Sequence, residues 1–170
     1  MPETLERADR AVMFAQEAAK QSEPWASAAF LRAALADLSS MEDVQKIDRP
    51  PSPPVKVADG QNPLLHLLVL VRHLNIHVKA MRVDSEHSEI LFNGLKLFLD
   101  DKAIIWSVLV VTNLSSSDLA ALHNGAKYEV SDLQRCVAWF DERQKSCGVD
   151  KLISQGVAMF ATFLCDRHGL

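Results

Sequence analysis

Apolar residues recur at three-to-four spacing from the start of the chain. Leu5, Ala8, Val12, Ala15 and Ala19 share one side of an amphipathic helix spanning residues 3–21. A second helical segment, "SEPWASAAFLRAALADLSS", has Ser22 as its capping residue and Pro24 in its first turn, where a missing N–H costs little. Together they predict an antiparallel helical hairpin. The stretch "DRPPSPPVKVADGQ", residues 48–61, packs four prolines into five positions, which forbids helix and predicts an extended internal connector. Neither side of it could close a core alone, so residues 1–170 are expected to form one domain.

A third helix is predicted in "NPLLHLLVLVRHLNIHVKAM", with Asn62 as cap and Pro63 just inside. Leucine and valine cover nearly every direction from Leu64 to Val71, so this helix is expected to be central. From Ser88 the period changes. "SEILFNGLKLFLDDKAIIWSVLVVTNL" sets β-branched and aromatic residues between an Asn93-Gly94 turn and an Asp100-Asp101-Lys102 turn. It predicts a small antiparallel hairpin or meander near residues 88–112, with helix as the competing reading. Helix then returns: "SSSDLAALHNG" has serine caps and a stop at Gly125, and "VSDLQRCVAWFDERQKSCG" offers a Ser131/Gln134 capping box and a stop at Gly148. A final amphipathic helix is predicted from about Asp150 to Arg167. The expected fold is a mainly α-helical, up-and-down bundle with one small β element.

Composition narrows the class. The chain is 48% hydrophobic and 24% charged with a net charge of −4, ordinary for a soluble globular protein. No basic tail or polybasic patch is present, so contact with nucleic acid has to be local, which weighs against DNA binding more than against RNA cleavage. Cys136, Cys147 and Cys165 form no Cys-x-x-Cys pair and read as buried small hydrophobes in a reducing, cytoplasmic setting. The opening "MPETLERADRAVMF" carries acids from the start, unlike a signal peptide, and no apolar run reaches membrane-spanning length. Trp25, Trp106 and Trp139 read as core or interface packing, and His123 as a cation at a helix end.

Candidate chemistry lies in the third helix. His66, His73 and His77 fall within about 40° of one another, while the Cβ of Arg72 lies roughly 140° from that of His77 around the axis. Arginine cannot shed its charge, and an unpaired cation among leucines costs several kcal/mol. Arg72 must therefore meet a carboxylate, an anion or solvent at an interface. One reading pairs it with an acid such as Glu86, Glu89 or Asp132, with the histidines bonded to backbone carbonyls. Another uses the histidine stripe for zinc, but His66 and His73 stand about 10 Å apart along the axis, and Arg72 would repel a dication. No metal or other cofactor is expected.

The run Arg72-His73-Leu74-Asn75-Ile76-His77 resembles the Arg-x4-6-His motif of HEPN domains, in which a polar residue commonly follows the arginine on an inner helix of a bundle. The upstream "AAFLRAAL" is similar to the opening helices of that family, and the likeness covers roughly two thirds of the chain, with the β-like segment as an insert. Arg82 to His87 has the same spacing, but across an expected loop. The resemblance implies a metal-independent endoribonuclease of the defence or toxin type, in which the motifs of two protomers face each other and the RNA 2'-hydroxyl is the nucleophile. It implies His77 as the acid/base group, Arg72 as the holder of the scissile phosphate and His73 as an orienting residue. The partners it implies are a second copy of the chain, RNA, and a protein antitoxin or other partner. The tyrosine that follows the histidine in one toxin subfamily is replaced here by Val78 and Lys79. An alternative of a different class is a non-catalytic helical interaction module with a structural Arg/His network.

Overall fold

Alanine lines the seam of the first hairpin. Helix α1, Pro2–Ala18, buries Thr4, Ala8, Ala11, Ala15 and Ala18, whereas Leu5 and Ala19 are exposed. The expected stripe is thus rotated by about one position, because small side chains let α1 approach closely the Ala28, Leu31, Ala34 and Leu38 face of α2, Pro24–Asp48. The computed structural model describes residues 2–48, 53–89, 91–92, 95–96, 98–99, 101–103 and 105–168. Ser22 is not the cap of α2. The first helical N–H groups, of Ala26 and Ser27, bond to the carbonyl of Glu23.

Polar side chains lock both ends of this hairpin. At its turn the Ser27 hydroxyl donates to the Ala18 carbonyl over 3.0 Å. At its open end Asp48, the last residue of α2, accepts from the Thr4 N–H at 2.9 Å, the Thr4 hydroxyl at 2.6 Å and the Glu3 N–H at 3.1 Å. A residue distant in sequence thereby caps the start of α1. Between the ends, the buried Asp37 carboxylate receives Arg7 at 3.0 Å and Arg10 at 3.3 Å.

Residues 49–52 of the predicted connector, with two of its four clustered prolines, lie outside the described residues, and its later part is pinned by a buried glutamine. The Gln45 side-chain amide donates to the Val55 carbonyl at 2.8 Å and accepts from the Val55 N–H at 2.9 Å, as a neighbouring strand would. A short 3-10 turn, Val57–Asp59, follows. Helix α3, Pro63–His77, then begins as predicted, with the Asn62 side chain accepting from the Leu64 N–H at 2.9 Å. Leu64, Leu65, Leu67, Leu68, Leu70, Val71 and Leu74 are all buried.

Strand β1, Val83–Glu89, pairs antiparallel with β6, Ile105–Val111, from Val83 opposite Val111 to Glu89 opposite Ile105. The β element therefore begins before Ser88, and the outer part of β1 has no apolar alternation to announce it. His87 lies on β1, so the Arg82 to His87 spacing leads into a strand and not across a loop. Two shorter antiparallel pairs intervene, β2 (Leu91–Phe92) with β3 (Leu95–Lys96) and β4 (Phe98–Leu99) with β5 (Lys102–Ala103). The strand reading prevails over the helical one, although the predicted turn residues Asn93, Gly94 and Asp100 lie outside the described residues.

The remaining helices close the bundle. Helix α4, Ser116–Ala120, is capped by Ser115, whose hydroxyl accepts from the Asp118 N–H, but the helix ends well before Gly125 and turns follow. Helix α5, Val130–Cys147, starts at Glu129 without a side-chain cap, so Ser131 already lies inside it and the predicted capping box does not form. Gly148, at φ 90°, ends α5 as expected. Helix α6, Val149–His168, packs on α1, α2, α3 and α5 and shares the central position with α3. They meet at Gly156, where an added Cβ would fall 2.3 Å from Leu68 Cδ1. Buried Gln144 repeats the device of Gln45 on Val111, accepting from its N–H at 2.8 Å and donating to its carbonyl at 3.0 Å.

The result is mainly helical, with six α-helices and three small two-stranded antiparallel sheets among the described residues. The tryptophans are not core residues: Trp25 is 72% exposed, and Trp106 and Trp139 also reach the surface. The three cysteines are free and only half-buried. No helix among the described residues is long and apolar enough to cross a membrane.

Candidate functional site: a polar cavity along α3

On α3, His66, Val69, Arg72 and His73 recur at helical spacing and face one cavity of about 380 Å³. Ser39, Ser40, Glu42 and Asp43 of α2 form its opposite wall. Lys56 comes from the connector, and Asn124, Lys127 and Tyr128 come from the turns before α5. The long side chain of Arg72 thus brings it to the same space as two of the three predicted histidines. His77 is the last residue of α3, and its side chain lies outside the described residues.

Arg72 is half-buried. Its Nε is buried without a hydrogen bond, and the guanidinium forms no ion pair among the described residues. Two of the acids named as its partners are engaged elsewhere, Glu89 with Lys96 and Asp132 with Arg135, while Glu86 faces another acid, Asp141. The carboxylate that feels Arg72 is Glu42. Burial pushes its carboxyl above the ordinary value, an effect opposed by the hydrogen bond from the Val57 N–H at 2.6 Å and by the charges of Lys56 and Arg72.

The histidines divide. His66 is held through both ring nitrogens, Nε2 against the Gly60 carbonyl at 2.7 Å and Nδ1 against the Tyr128 hydroxyl. Nε2–H donates to the carbonyl, and Nδ1 shares its hydrogen bond with a hydroxyl that can donate or accept. His66 is therefore a fixed wall rather than a free ligand. His73 Nε2 accepts from the Asn124 side-chain amide at 3.0 Å. No group of three or more His, Cys, Asp or Glu suited to a metal ion occurs among the described residues.

Three cations, Arg72, Lys56 and Lys127, therefore share this cavity with two acids, one of which burial makes easier to protonate. Such a cavity suits an anion whose oxygens hydrogen-bond a guanidinium. The sequence reading missed Glu42, Lys56, Asn124, Lys127 and Tyr128. "SSMED" interrupts the apolar pattern of α2, and "HNGAKY" joins an amide, a cation and the chain's one tyrosine after a glycine. Neither run says what it faces. Comparison with models of known families, with curated proteins and with solved structures gives no match.

Proposed function

We propose that this chain is a HEPN-like, metal-independent endoribonuclease of the defence or toxin type, acting in the cytoplasm as a homodimer, with a protein antitoxin as its natural counterpart. The observation that supports it is Arg72: a permanent cation that forms no ion pair among the described residues, on a cavity that also holds His73 and two lysines. In this reading the guanidinium binds the non-bridging oxygens of the scissile phosphate and stabilises the charge that develops on them. The 2'-hydroxyl of the RNA attacks phosphorus while a base removes its proton. The bond from phosphorus to the 5'-oxygen breaks, an acid protonates that oxygen, and the products are a 2',3'-cyclic phosphate and a 5'-hydroxyl. The motif assigns the proton-transfer role to His77, for which an imidazole near neutrality is suited. His73, oriented by Asn124, shares the phosphate.

The test is cleavage of labelled RNA in excess chelator by wild type, Arg72→Ala and His77→Ala, each checked for native circular dichroism. Loss of about a hundredfold or more in both variants is expected. Undiminished cleavage by Arg72→Ala defeats the proposal. A second reading, the non-catalytic interaction module, is favoured by a different observation: Leu95, Phe98, Leu99 and Ile105 stand exposed on the β2 to β6 arm. That reading takes over if a broad panel of RNAs is left intact.

A further inference from the structure

A second cavity, of about 370 Å³, adjoins the polar one and shares His66, Leu70 and Tyr128 with it. Its character is different. Pro63, Leu67, Leu70, Leu133 and Cys136 give it an apolar lining, while Gln61, Asp132 and Arg135 supply polar groups. The His66 and Tyr128 rings meet edge-on, 5.7 Å between centroids at 87°, and are held by the hydrogen bond between them. The Lys127 ammonium lies 5.0 Å from the centre of the Tyr128 ring. Tyr128 thus borders an anion-suited space and an apolar one at once.

A ligand matching both spaces carries a negative charge joined to an apolar body with polar groups at its edge, a description that a nucleotide meets. We propose that the apolar cavity is a nucleobase subsite for the nucleotide whose phosphate Arg72 holds. This rests on the phosphodiester reading of the polar cavity. The base packs against Leu67, Leu70, Leu133 and the Tyr128 ring, and the Gln61 amide and Asp132 carboxylate supply groups that hydrogen-bond a base edge. Charge on one side and apolar lining on the other fix the direction in which the nucleotide lies.

Binding of inorganic phosphate and of each of the four nucleoside 5'-monophosphates is measured by calorimetry on the full chain, with wild type, Arg72→Ala and Cys136→Phe. The phenylalanine fills the apolar cavity and leaves the polar one untouched. The expected result is that at least one monophosphate binds wild type about tenfold more tightly than phosphate does, in line with one base contact. Cys136→Phe abolishes that advantage while phosphate affinity is kept. Alkylation followed by mass spectrometry gives a readout that needs no variant: the monophosphate slows modification of Cys136 but not of Cys147, and phosphate slows neither. If phosphate binds through Arg72 but no monophosphate binds more tightly and Cys136 is never protected, the base subsite is overturned and the phosphate site stands. If neither phosphate nor any monophosphate binds, or if binding ignores Arg72→Ala, both are overturned.

Discussion

Arg7 and Arg10 reach the flank of α2 from α1, and Arg72 approaches another side of the same helix from α3. The first pair converges on Asp37, a buried carboxylate, so charge is answered by charge inside the protein. Arg72 acts only at a distance on Glu42, a carboxyl that burial pushes toward its neutral form and that already accepts from the Val57 N–H. One site pairs its charges within the chain, although Asp37 Oδ2, 3.3 Å from Arg10 Nε, makes no hydrogen bond. The other holds cations for which the described residues offer no ion pair. The difference separates cations paired inside the protein from one still able to pair with an anion.

Exchanging the two losses breaks the comparison most directly. Asp37→Ala leaves two arginines without their carboxylate, and since both are a third or more exposed, the cost is expected at roughly 1–3 kcal/mol rather than at that of a fully buried pair. Thermal denaturation should show a midpoint on the order of 5 °C lower, with RNA cleavage at permissive temperature intact. Arg72→Ala should do the reverse, with a midpoint within about 2 °C of wild type and activity reduced by about a hundredfold or more. A large fall in its melting temperature would place Arg72 in the same class as Arg7.

Gln144→Leu comes next. It keeps the volume but leaves the buried Val111 N–H and carbonyl without their shared partner, a cost of about 1–3 kcal/mol readable in urea titration. Asp48→Ala should cost about 1 kcal/mol through the lost cap of α1. Burial raises the Asp48 carboxyl, but the bonds from Thr4 and Glu3 outweigh it and hold the group below its ordinary 3.8. Its contribution is therefore present above that value and lost as pH falls through the folded pKa, so variant and wild type should converge in acid.

The smallest effect sharpens the comparison at Glu42. A carboxyl raised in the folded state above 4.5 destabilises the protein increasingly as pH rises through the window just above that value. Glu42→Gln keeps an acceptor for the Val57 N–H and removes the titration. Its melting temperature relative to wild type should rise by about a degree or two between about pH 4 and about pH 7. No change in that difference would mean Glu42 titrates normally.

Signals written in adjacent residues were legible in the sequence. The Asn62-Pro63 start of α3, the Gly148 stop and the helix-to-strand change depend on neighbours along the chain. Features decided by packing were not. The alanine seam of α1 was misplaced because it is chosen by what α2 presents, and Ser131 could cap only if α5 began later than it does. Of the candidate site, Arg72 and His73 were found on α3, since motif and cavity coincide there. Glu42, Lys56, Asn124 and Tyr128 come from three other segments, and only the folded chain brings them to Arg72.

The close approach at Gly156 bears on how this sequence can diverge. A methyl group at 156 would meet Leu68 Cδ1, so a larger residue there requires a moved Leu68 side chain, a smaller residue at 68 or a displaced α3, and α3 carries Arg72 and His73. Across descendants of this chain, positions 68 and 156 should change together. Leu68→Ala is the substitution expected to rescue Gly156→Ala, and a lineage that widens this crossing without that exchange would shift its own cavity.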